Sequence, residues 1–468
     1  MKKVLFLPTH ETSWCEMLLL AMELKDKTEV CFLIDTPLML GNIASLESKR
    51  IKYFVTTDES LDNNASVKLP FVYGLKKLLK KISIITKLIK WIRYKYLTSN
   101  KFIKKEYSDT YTKFDSKLVL LRKLFDVEAF DVCVVYGDRH ISCCELPLLA
   151  VCRERKIPAI IPPISLAAVG ETLTHNMTQR YQVRRFPEIF NKFPNQIWMN
   201  PKTGESFFFY PVGIMLALSE LKILPDNPWA LGGSASTNIL VDGEYDKQRL
   251  VKSGCPIDKI IITGHRSHDK MLSLLINKET LKGDLVTKYS FDVKKKLLVI
   301  VLPQWVEDCL LERVFAWDEI NRLCEALSNP AWSTLVSLHP KMVRNDYLFL
   351  EEKYSLKIAK ERLDEIIPIA DLFVSSFSST VRWAALCGVP ALVLDFHGEK
   401  FELFNEMNGV IIIEERKKLK RLVETLFENE EKYSEYVVHQ KEMSTLISPF
   451  DGRCCERILM SILSANIE

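Results

Sequence analysis

Short apolar runs of the length of a β-strand alternate with helical stretches along most of the chain. Typical runs cover residues 4–7, 132–136 and 391–394, and the stretches at 14–24 and 142–155 have helical periodicity. Because strands that are apolar on both faces lie in parallel sheets covered by helices on each side, this alternation favours an α/β fold. With 468 residues, of which 47% are apolar, the chain is long enough for two such domains. We therefore predict two doubly wound, Rossmann-like domains that face a cleft.

The composition of the sequence changes near residues 270–295, where a polar and basic stretch separates a predicted helix from the next predicted strand. We place the junction between the two domains there. The N-terminal domain is predicted to span 1–275 with a basic helical insert at about 70–125, and the C-terminal domain to span 290–445. Residues 446–468 are predicted to form a C-terminal helix that can pack back on the first domain.

Several classes of protein are excluded by what the sequence lacks. No apolar stretch approaches the roughly 18 residues of a membrane span, and the first apolar run stops at Pro8, too early for a signal peptide. The 12 cysteines include no CxxC pair and mostly lie in apolar runs, which indicates buried, reduced thiols in a cytoplasmic-type compartment. No clustered set of acidic and histidine side chains indicates a metal, and we expect no cofactor.

The excess positive charge of the chain is concentrated in one segment. Residues 75–105 contain eleven Lys or Arg and no acid, whereas the whole chain has a net charge of +4, so the remainder is negative. Leucine and isoleucine recur there at helical spacing and form an apolar stripe. Such a helix is typical of an anionic membrane surface, since headgroups attract the lysines while the stripe enters the acyl boundary. The alternative is a helix that packs its stripe on its own domain and leaves its lysines in water.

A hydroxyl-rich turn follows the predicted strand at 372–374. The helical periodicity after the turn ends at Gly388, and a second strand follows. A helix N-terminus favours a phosphate, because its dipole and its unpaired backbone N–H groups attract negative charge. We therefore predict that the turn binds the phosphates of a nucleotide ligand, with simple N-capping by one serine as the alternative. The predicted phosphate-binding residues are Ser375, Ser376, Ser378, Ser379 and Thr380.

A histidine and a lysine follow another predicted strand of the same domain. His339, Pro340 and Lys341 come just after the strand at 334–338. In open α/β sheets ligands bind at the carboxyl ends of the strands. His339 and Lys341 are therefore predicted to contact the base and the phosphates of a nucleotide.

Polar residues also follow two strands of the N-terminal domain. Asp138 comes after the strand at 132–136, where it can accept a proton from a substrate or cap the next helix. His10 and Glu11 occupy the matching position after the first strand. We therefore predict Asp138 as a general base, with His10 and Glu11 as further candidates.

Parts of the sequence resemble UDP-N-acetylglucosamine 2-epimerases. The resemblance covers 132–165, with its Gly-Asp pair, 238–269, with Ser-Gly-Cys-Pro-Ile-Asp-Lys-Ile-Ile-Ile-Thr-Gly264, and 338–394. Together these stretches make up about a third of the chain and lie in both halves. The resemblance implies the GT-B architecture, which consists of two Rossmann-like domains.

This chain departs from the epimerase pattern at the positions of the family's acidic and histidine residues. Pro162-Pro-Ile-Ser165 replaces Glu-Ala-Gly, and the segment that starts at Leu302 reads Leu-Pro-Gln-Trp-Val in place of Thr-His-Arg-Arg-Glu. Arg382 and Trp383 stand where an acidic pair is expected. A retained phosphate loop without the epimerase groups indicates a metal-independent glycosyltransferase on the same scaffold.

The His-Pro pair and the serine-rich turn are also similar to elements of bacterial sialyl- and Kdo-transferases, which use CMP-activated sugars, and of CDP-glycerol polymerases. This resemblance favours a CMP-activated acidic sugar over a UDP-sugar as the donor. The alternatives are an enzyme like a UDP-N-acetylhexosamine 2-epimerase and a non-catalytic, membrane-associated protein that binds nucleotide sugars.

The expected partners follow from these assignments. The C-terminal domain takes the nucleotide-sugar donor, the N-terminal domain takes a surface polysaccharide, glycan or lipid-linked glycan as acceptor, and residues 75–105 bind an anionic membrane surface. Nucleic acid is not expected, because no nucleic-acid-binding module is recognisable. The predicted location is the bacterial cytoplasm, with peripheral attachment to the inner face of the plasma membrane.

Overall fold

The computed structural model describes residues 1–56, 99–164, 173, 177, 179–201, 203–303, 305, 313–339, 342–398, 404 and 407–466. The basic segment of 75–105 lies outside the described residues except for 99–105. The chain divides into two compact units. The first consists of Met1–Leu240, Lys247–Ile261 and Leu459–Glu468, and the second of Val241–Asp246 and Ile262–Ile458.

The first unit is built on a seven-stranded sheet with the strand order β3-β2-β1-β4-β5-β8-β9. The pairs from β3 across to β8 are parallel. All four side chains of the central strand β4 are buried, as an apolar run covered on both faces requires. The strands are β1 Lys3–Leu7, β2 Glu29–Ile34, β3 Lys52–Val55, β4 Val132–Val135, β5 Ala159–Ile161, β8 Asn238–Val241 and β9 Ile260–Ile262, and a separate antiparallel hairpin pairs β6 Ile197–Met199 with β7 Ser206–Phe208.

The second unit is built on a six-stranded parallel sheet with the order β12-β11-β10-β13-β14-β15. Alternate residues of its strands enter two separate hydrophobic cores: Val299 and Phe373 belong to one, and Ile300 and Val374 to the other. Both faces of the sheet are therefore covered, as in a doubly wound domain. The strands are β10 Leu297–Val301, β11 Ser333–Ser337, β12 Lys357–Ile358, β13 Leu372–Ser375, β14 Ala391–Leu394 and β15 Val410–Ile413.

Helices cover the sheets. The longest described helix, Asn100–Val127, has 28 residues and buries Phe114, Leu118, Leu121 and Phe125, which recur at steps of three or four on one face. In chain order the described helices are α1 Glu11–Leu24, α2 Pro37–Leu40, α3 Ile43–Ser48, α4 Asn100–Val127, α5 Glu145–Arg155, α6 Pro187–Phe190, α7 Val212–Glu220, α8 Glu244–Lys252, α9 Arg266–Ile276, α10 Lys278–Tyr289, α11 Arg313–Leu327, α12 Phe349–Lys353, α13 Leu363–Ile366, α14 Val381–Leu386, α15 Arg416–Glu428, α16 Glu430–Ile447 and α17 Cys454–Ser464.

The predicted fold class is confirmed: the chain is an α/β protein with two parallel sheets. The short strands β8 and β12 and the β6–β7 hairpin were not predicted from the sequence. The change between units comes at 241–262, before the predicted junction at 270–295, so α9 belongs to the second unit. Residues 459–468 belong to the first unit.

Two further sequence expectations concern thiols and the membrane. Of the eleven cysteines within the described residues, all are free thiols; Cys15 and Cys455 are partly exposed and the other nine are buried. A helix long and apolar enough to cross a membrane does not occur among the described residues.

Candidate functional site

Polar and aromatic side chains gather at the carboxyl edge of the first unit's sheet. His10 follows β1, and Tyr136 and His140 follow the neighbouring strand β4. The His10 and Tyr136 rings meet edge to face with centroids 4.3 Å apart, and the centroids of Tyr136 and His140 are 5.2 Å apart. In this class of fold the carboxyl edge is where ligands bind.

His10 also begins helix α1. Its Nδ1 accepts the backbone N–H of Ser13 at 3.2 Å, while the Ser13 hydroxyl accepts the backbone N–H of His10, so the two residues form a reciprocal cap. The bond to Nδ1 requires that nitrogen to be unprotonated, so in the neutral ring the proton is on Nε2. Glu11, in the first turn of α1, is exposed, and its carboxylate accepts a hydrogen bond from the Asn42 side chain at 3.4 Å.

Asp138 is fully buried, and both of its carboxylate oxygens accept hydrogen bonds. One oxygen accepts the backbone N–H of Gly232 at 3.2 Å, and the other accepts the N–H of Ser234 at 2.9 Å and the Ser236 hydroxyl at 3.2 Å. Burial raises the pKa of Asp138 to about 6, although the backbone bonds oppose this shift. In this geometry Asp138 anchors the loop at 232–236 to the end of β4.

Glu145 and His140 form a pair that the sequence analysis missed. Glu145 is the first residue of α5 and is fully buried. Its Oε1 accepts the backbone N–H groups of Arg139 and His140 at 3.1 and 2.9 Å and lies 3.0 Å from Nδ1 of His140. The His140 side chain is 36% exposed, so it connects a buried carboxylate to the surface.

A cavity of about 420 Å³ opens beside His140. Arg139 lies in its wall and is held there: its guanidinium donates to the backbone oxygen of Pro228 at 3.1 Å and lies 5.9 Å from the centroid of the Phe209 ring. Burial lowers the pKa of Arg139, and the neighbouring Asp138 opposes that shift. Most other lining residues are apolar or aromatic: Tyr136, Ile141, Pro162, Ile164, Leu173, Tyr181, Phe209, Tyr210, Pro211 and Leu231.

In the second unit, the serine-rich turn joins β13 to α14. Ser375 ends the strand and is buried, whereas the four other predicted residues are partly exposed. The hydroxyls of Ser378 and Thr380 are 2.8 Å apart, and Thr380 is the N-cap of the six-residue helix α14 without a side-chain capping bond. The Ser378 hydroxyl accepts the backbone N–H of Thr380 at 3.4 Å, so it is a serine before the N-cap, and not Thr380 itself, that bonds the start of α14.

Other side chains occupy the same edge of the second sheet. His339 follows β11, which is separated from β13 by β10 alone, and it is partly exposed. Since neighbouring strands are about 4.8 Å apart, the ends of β11 and β13 are about 10 Å apart. His397, which follows β14, was missed by the sequence analysis; it is exposed and packs edge-on against Trp305 with ring centroids 5.3 Å apart. Lys341 lies outside the described residues.

The described residues contain no group of three or more His, Cys, Asp or Glu side chains that could hold a metal ion. The predicted site residues that the structure describes fall at two places, the carboxyl edge of each sheet.

Comparisons with known proteins identify relatives by structure. No protein-family model and no curated protein sequence matches the chain. The chain is similar over 99% of its length to the calicheamicin glycosyltransferase CalG4, with 11% identity, a TM-score of 0.54 and all of that chain covered. It is also similar to the wall teichoic acid polymerase TagF, with 10% identity, a TM-score of 0.51 and coverage of 99% of this chain and 88% of that one. A UDP-GlcNAc 2-epimerase from Neisseria meningitidis, bound to UDP-GlcNAc, has 14% identity, a TM-score of 0.50 and coverage of 99% and 100%. At these identities the similarity shows the fold: the chain has the GT-B architecture of two Rossmann-like domains, as the sequence predicted.

Proposed function

We propose that the protein is a GT-B glycosyltransferase that transfers a sugar from a nucleotide-sugar donor to a surface polysaccharide or glycolipid. The observation that carries this proposal is the hydroxyl-rich turn between β13 and α14, at the carboxyl edge of the second sheet. Solved structures with this fold include a glycosyltransferase and an enzyme bound to UDP-GlcNAc, which supports a nucleotide sugar as the ligand.

In this proposal the second unit binds the donor. The turn from Ser375 to Thr380 contacts the phosphates, and His339 and Lys341 contact the nucleotide. As the glycosidic bond to the nucleotide breaks, negative charge develops on the departing phosphate oxygen. Hydroxyl and backbone N–H donors of the turn stabilise that charge, so the reaction needs no metal ion.

The first unit binds the acceptor, whose hydroxyl group must lose a proton as it attacks. Asp138, His10 and Glu11 are the bases that the sequence proposes. Asp138→Asn keeps the shape of the side chain but replaces one accepting oxygen by an NH₂ group, so its melting temperature is measured beside transfer to separate a base from an anchor. If Asp138 is the base, the variant should bind the nucleotide as wild type does and transfer the sugar about 10²–10⁴-fold more slowly. Near-normal transfer leaves Asp138 as the anchor of the 232–236 loop.

The donor is proposed to be a CMP-activated acidic sugar, with a UDP-sugar as the alternative. A thermal-shift screen against CMP, CDP, UDP and GDP tests this choice, because a ligand that binds the folded state alone raises the melting temperature. The expected result is stabilisation by CMP. The donor sugar is then identified by nucleotide release from CMP-sialic acid, CMP-Kdo and UDP-GlcNAc, with bacterial membrane extract as the source of acceptor.

An epimerase of UDP-N-acetylhexosamines is the second candidate function, because an epimerase is among the similar structures. The residue at position 382 weighs against an epimerase. An acid is expected there in an epimerase, whereas this chain has Arg382, whose guanidinium contacts the buried Asp242 and Asp246. Incubation with UDP-GlcNAc alone decides: an epimerase produces the C2 epimer, and a transferase does not. Tight nucleotide binding without either activity would indicate a non-catalytic protein.

We place the protein in the cytoplasm, attached to the inner face of the plasma membrane through residues 75–105. This proposal rests on the sequence of that segment, with its eleven cations and its apolar stripe. Attachment to the membrane would bring the enzyme to a lipid-linked acceptor.

A further inference from the structure

The two histidines at the carboxyl edge of the first sheet differ in which ring nitrogen can accept a proton. Nδ1 of His10 accepts the backbone N–H of Ser13, which leaves the proton on Nε2. To accept a second proton, His10 would have to give up this capping bond. Its role at the start of α1 therefore opposes a role as a base.

His140 has the opposite arrangement. Its Nδ1 lies 3.0 Å from Oε1 of Glu145, and a carboxylate accepts but does not donate. Nδ1 therefore carries the proton, and Nε2, on the far side of the ring, keeps its lone pair. The side chain is 36% exposed while Glu145 is fully buried, so the ring lies between a buried carboxylate and the accessible surface.

Glu145 is suited to stabilise a proton on this ring. Its Oε1 is held by the backbone N–H groups of Arg139 and His140, so the carboxylate has a fixed position. Its Oε2 is buried, and no hydrogen-bond partner for it occurs among the described residues. A carboxylate fixed beside Nδ1 holds the ring in one orientation and in the tautomer that leaves Nε2 free of a proton.

The cavity beside His140 has the size and the lining of a ligand site. Its volume of about 420 Å³ falls within the range of about 300–1,000 Å³ for small-molecule sites. Tyr136, Tyr181 and Phe209 line it, and aromatic faces pack against the apolar faces of sugar rings. Among the described residues that line the cavity none is Asp or Glu, and Arg139 is one of them, so this part of the lining suits an uncharged or anionic sugar.

We infer that His140 is the general base of the transfer reaction, that Glu145 is its positioning residue, and that the cavity beside it binds the acceptor's sugar ring. This inference rests on the proposed function. Nε2 of His140 takes the proton of the acceptor hydroxyl, whose oxygen forms a bond to the anomeric carbon of the donor. The bond from that carbon to the nucleotide's phosphate oxygen breaks, and the nucleotide leaves with the electron pair.

The first test needs no substrate. Protein labelled with ¹⁵N-histidine reports by NMR which ring nitrogen of His140 carries the proton, and the signal is assigned by its loss in His140→Gln. Wild type should have the proton on Nδ1, and Glu145→Gln, which can also donate to the ring, should shift the population towards Nε2. A wild-type proton on Nε2, or no shift in folded Glu145→Gln, overturns the pairing.

The second test measures transfer with whichever donor of the panel CMP-sialic acid, CMP-Kdo and UDP-GlcNAc gives product. His140→Gln should lower kcat about 10²–10⁴-fold with the donor KM unchanged, and Glu145→Gln should lower it at least about tenfold. The matched control His439→Gln, on α16, should transfer at the wild-type rate. Transfer that survives in His140→Gln overturns this inference alone, whereas no transfer by wild type overturns the proposed function as well.

Discussion

The guanidinium of Arg382 joins two carboxylates that lie about 140 residues earlier in the chain. It contacts Asp246, and its other terminal nitrogen is 3.2 Å from Asp242. All three residues are buried. Burial by itself lowers the pKa of Arg382, but the two carboxylates outweigh this effect and the pKa is raised. The pairing ties the helix after the serine-rich turn to the segment 241–246.

We expect Arg382→Met to lower the free energy of unfolding by about 3–5 kcal/mol, because it leaves two buried carboxylates without their cation. Urea denaturation followed by tryptophan fluorescence measures this change. Asp246→Asn should lower the free energy of unfolding less in the Arg382→Met background than in wild type. In that background the substitution removes a carboxylate that has already lost its cation. Equal costs in the two backgrounds would contradict the pairing.

Removal of two hydroxyls from the serine-rich turn should weaken nucleotide binding. We expect Ser378→Ala with Ser379→Ala to cost about 1–3 kcal/mol of binding free energy, the usual magnitude for hydrogen bonds to a charged group. Calorimetry with the nucleotide found in the thermal-shift screen measures it. The control is Ser444→Ala with Thr445→Ala, whose hydroxyls donate to backbone oxygens of their own helix. Unchanged affinity in a folded turn variant would remove the phosphate assignment.

His339→Ala should lower donor affinity and leave the melting temperature of the ligand-free protein nearly unchanged. The reason is that His339 is partly exposed at the end of β11, where a side chain contributes little packing energy. Differential scanning calorimetry and nucleotide titration measure the two quantities. A large fall in the melting temperature would identify the histidine as structural.

The buried Asp138 should make stability depend on pH. Burial raises its pKa from 3.8 to about 6, so folding favours the protonated carboxyl. This contribution is fully present below about pH 4 and is lost as the pH rises through 6. Relative to Asp138→Asn, the wild-type free energy of unfolding should therefore fall by roughly 2 kcal/mol between pH 4 and pH 7. Denaturation at both pH values measures it, and a constant difference would contradict it.

The basic segment should bring the protein to anionic membranes. Co-sedimentation with anionic vesicles at low salt should pellet wild type, and added salt should release it. Each lysine near such a surface contributes about 1 kcal/mol, so reversal of four of them should abolish binding. The four changes to Glu are at Lys76, Lys80, Lys87 and Lys90.

A control variant with the same change of net charge distinguishes the effect of this segment on membrane binding from the effect of the protein's overall charge. It carries Glu at Lys417, Lys420, Lys432 and Lys441, on α15 and α16. This control should still pellet with the vesicles. A wild type that stays in solution at low salt would mean that the segment is an ordinary solvated surface.

The sequence predicted the fold well because its strands are apolar on both faces. Runs such as those of β1, β4 and β14 allow little other than buried parallel strands. The hairpin of β6 and β7 was missed, because it lies in a proline-rich stretch without clear alternation. β12 was missed because it has only two residues.

Residues at strand ends were easier to predict than residues that act in pairs. His10, His339 and the serine-rich turn are each marked by the end of an apolar run. The contact between His140 and Glu145 passes through a turn rather than along a helix face, so no periodicity indicates it. The ion pair of Arg382 and Asp246 joins residues 136 apart, and a single sequence carries no sign of such a contact.

The buried thiols provide built-in reporters of how the molecule opens. Burial raises the pKa of Cys324, Cys387 and Cys454 to about 12, so each of these thiols is unreactive until its surroundings unfold. These three belong to the second unit, and Cys133 and Cys152 to the first. Alkylation read by mass spectrometry would therefore order the two units by how often each opens, without any engineered label.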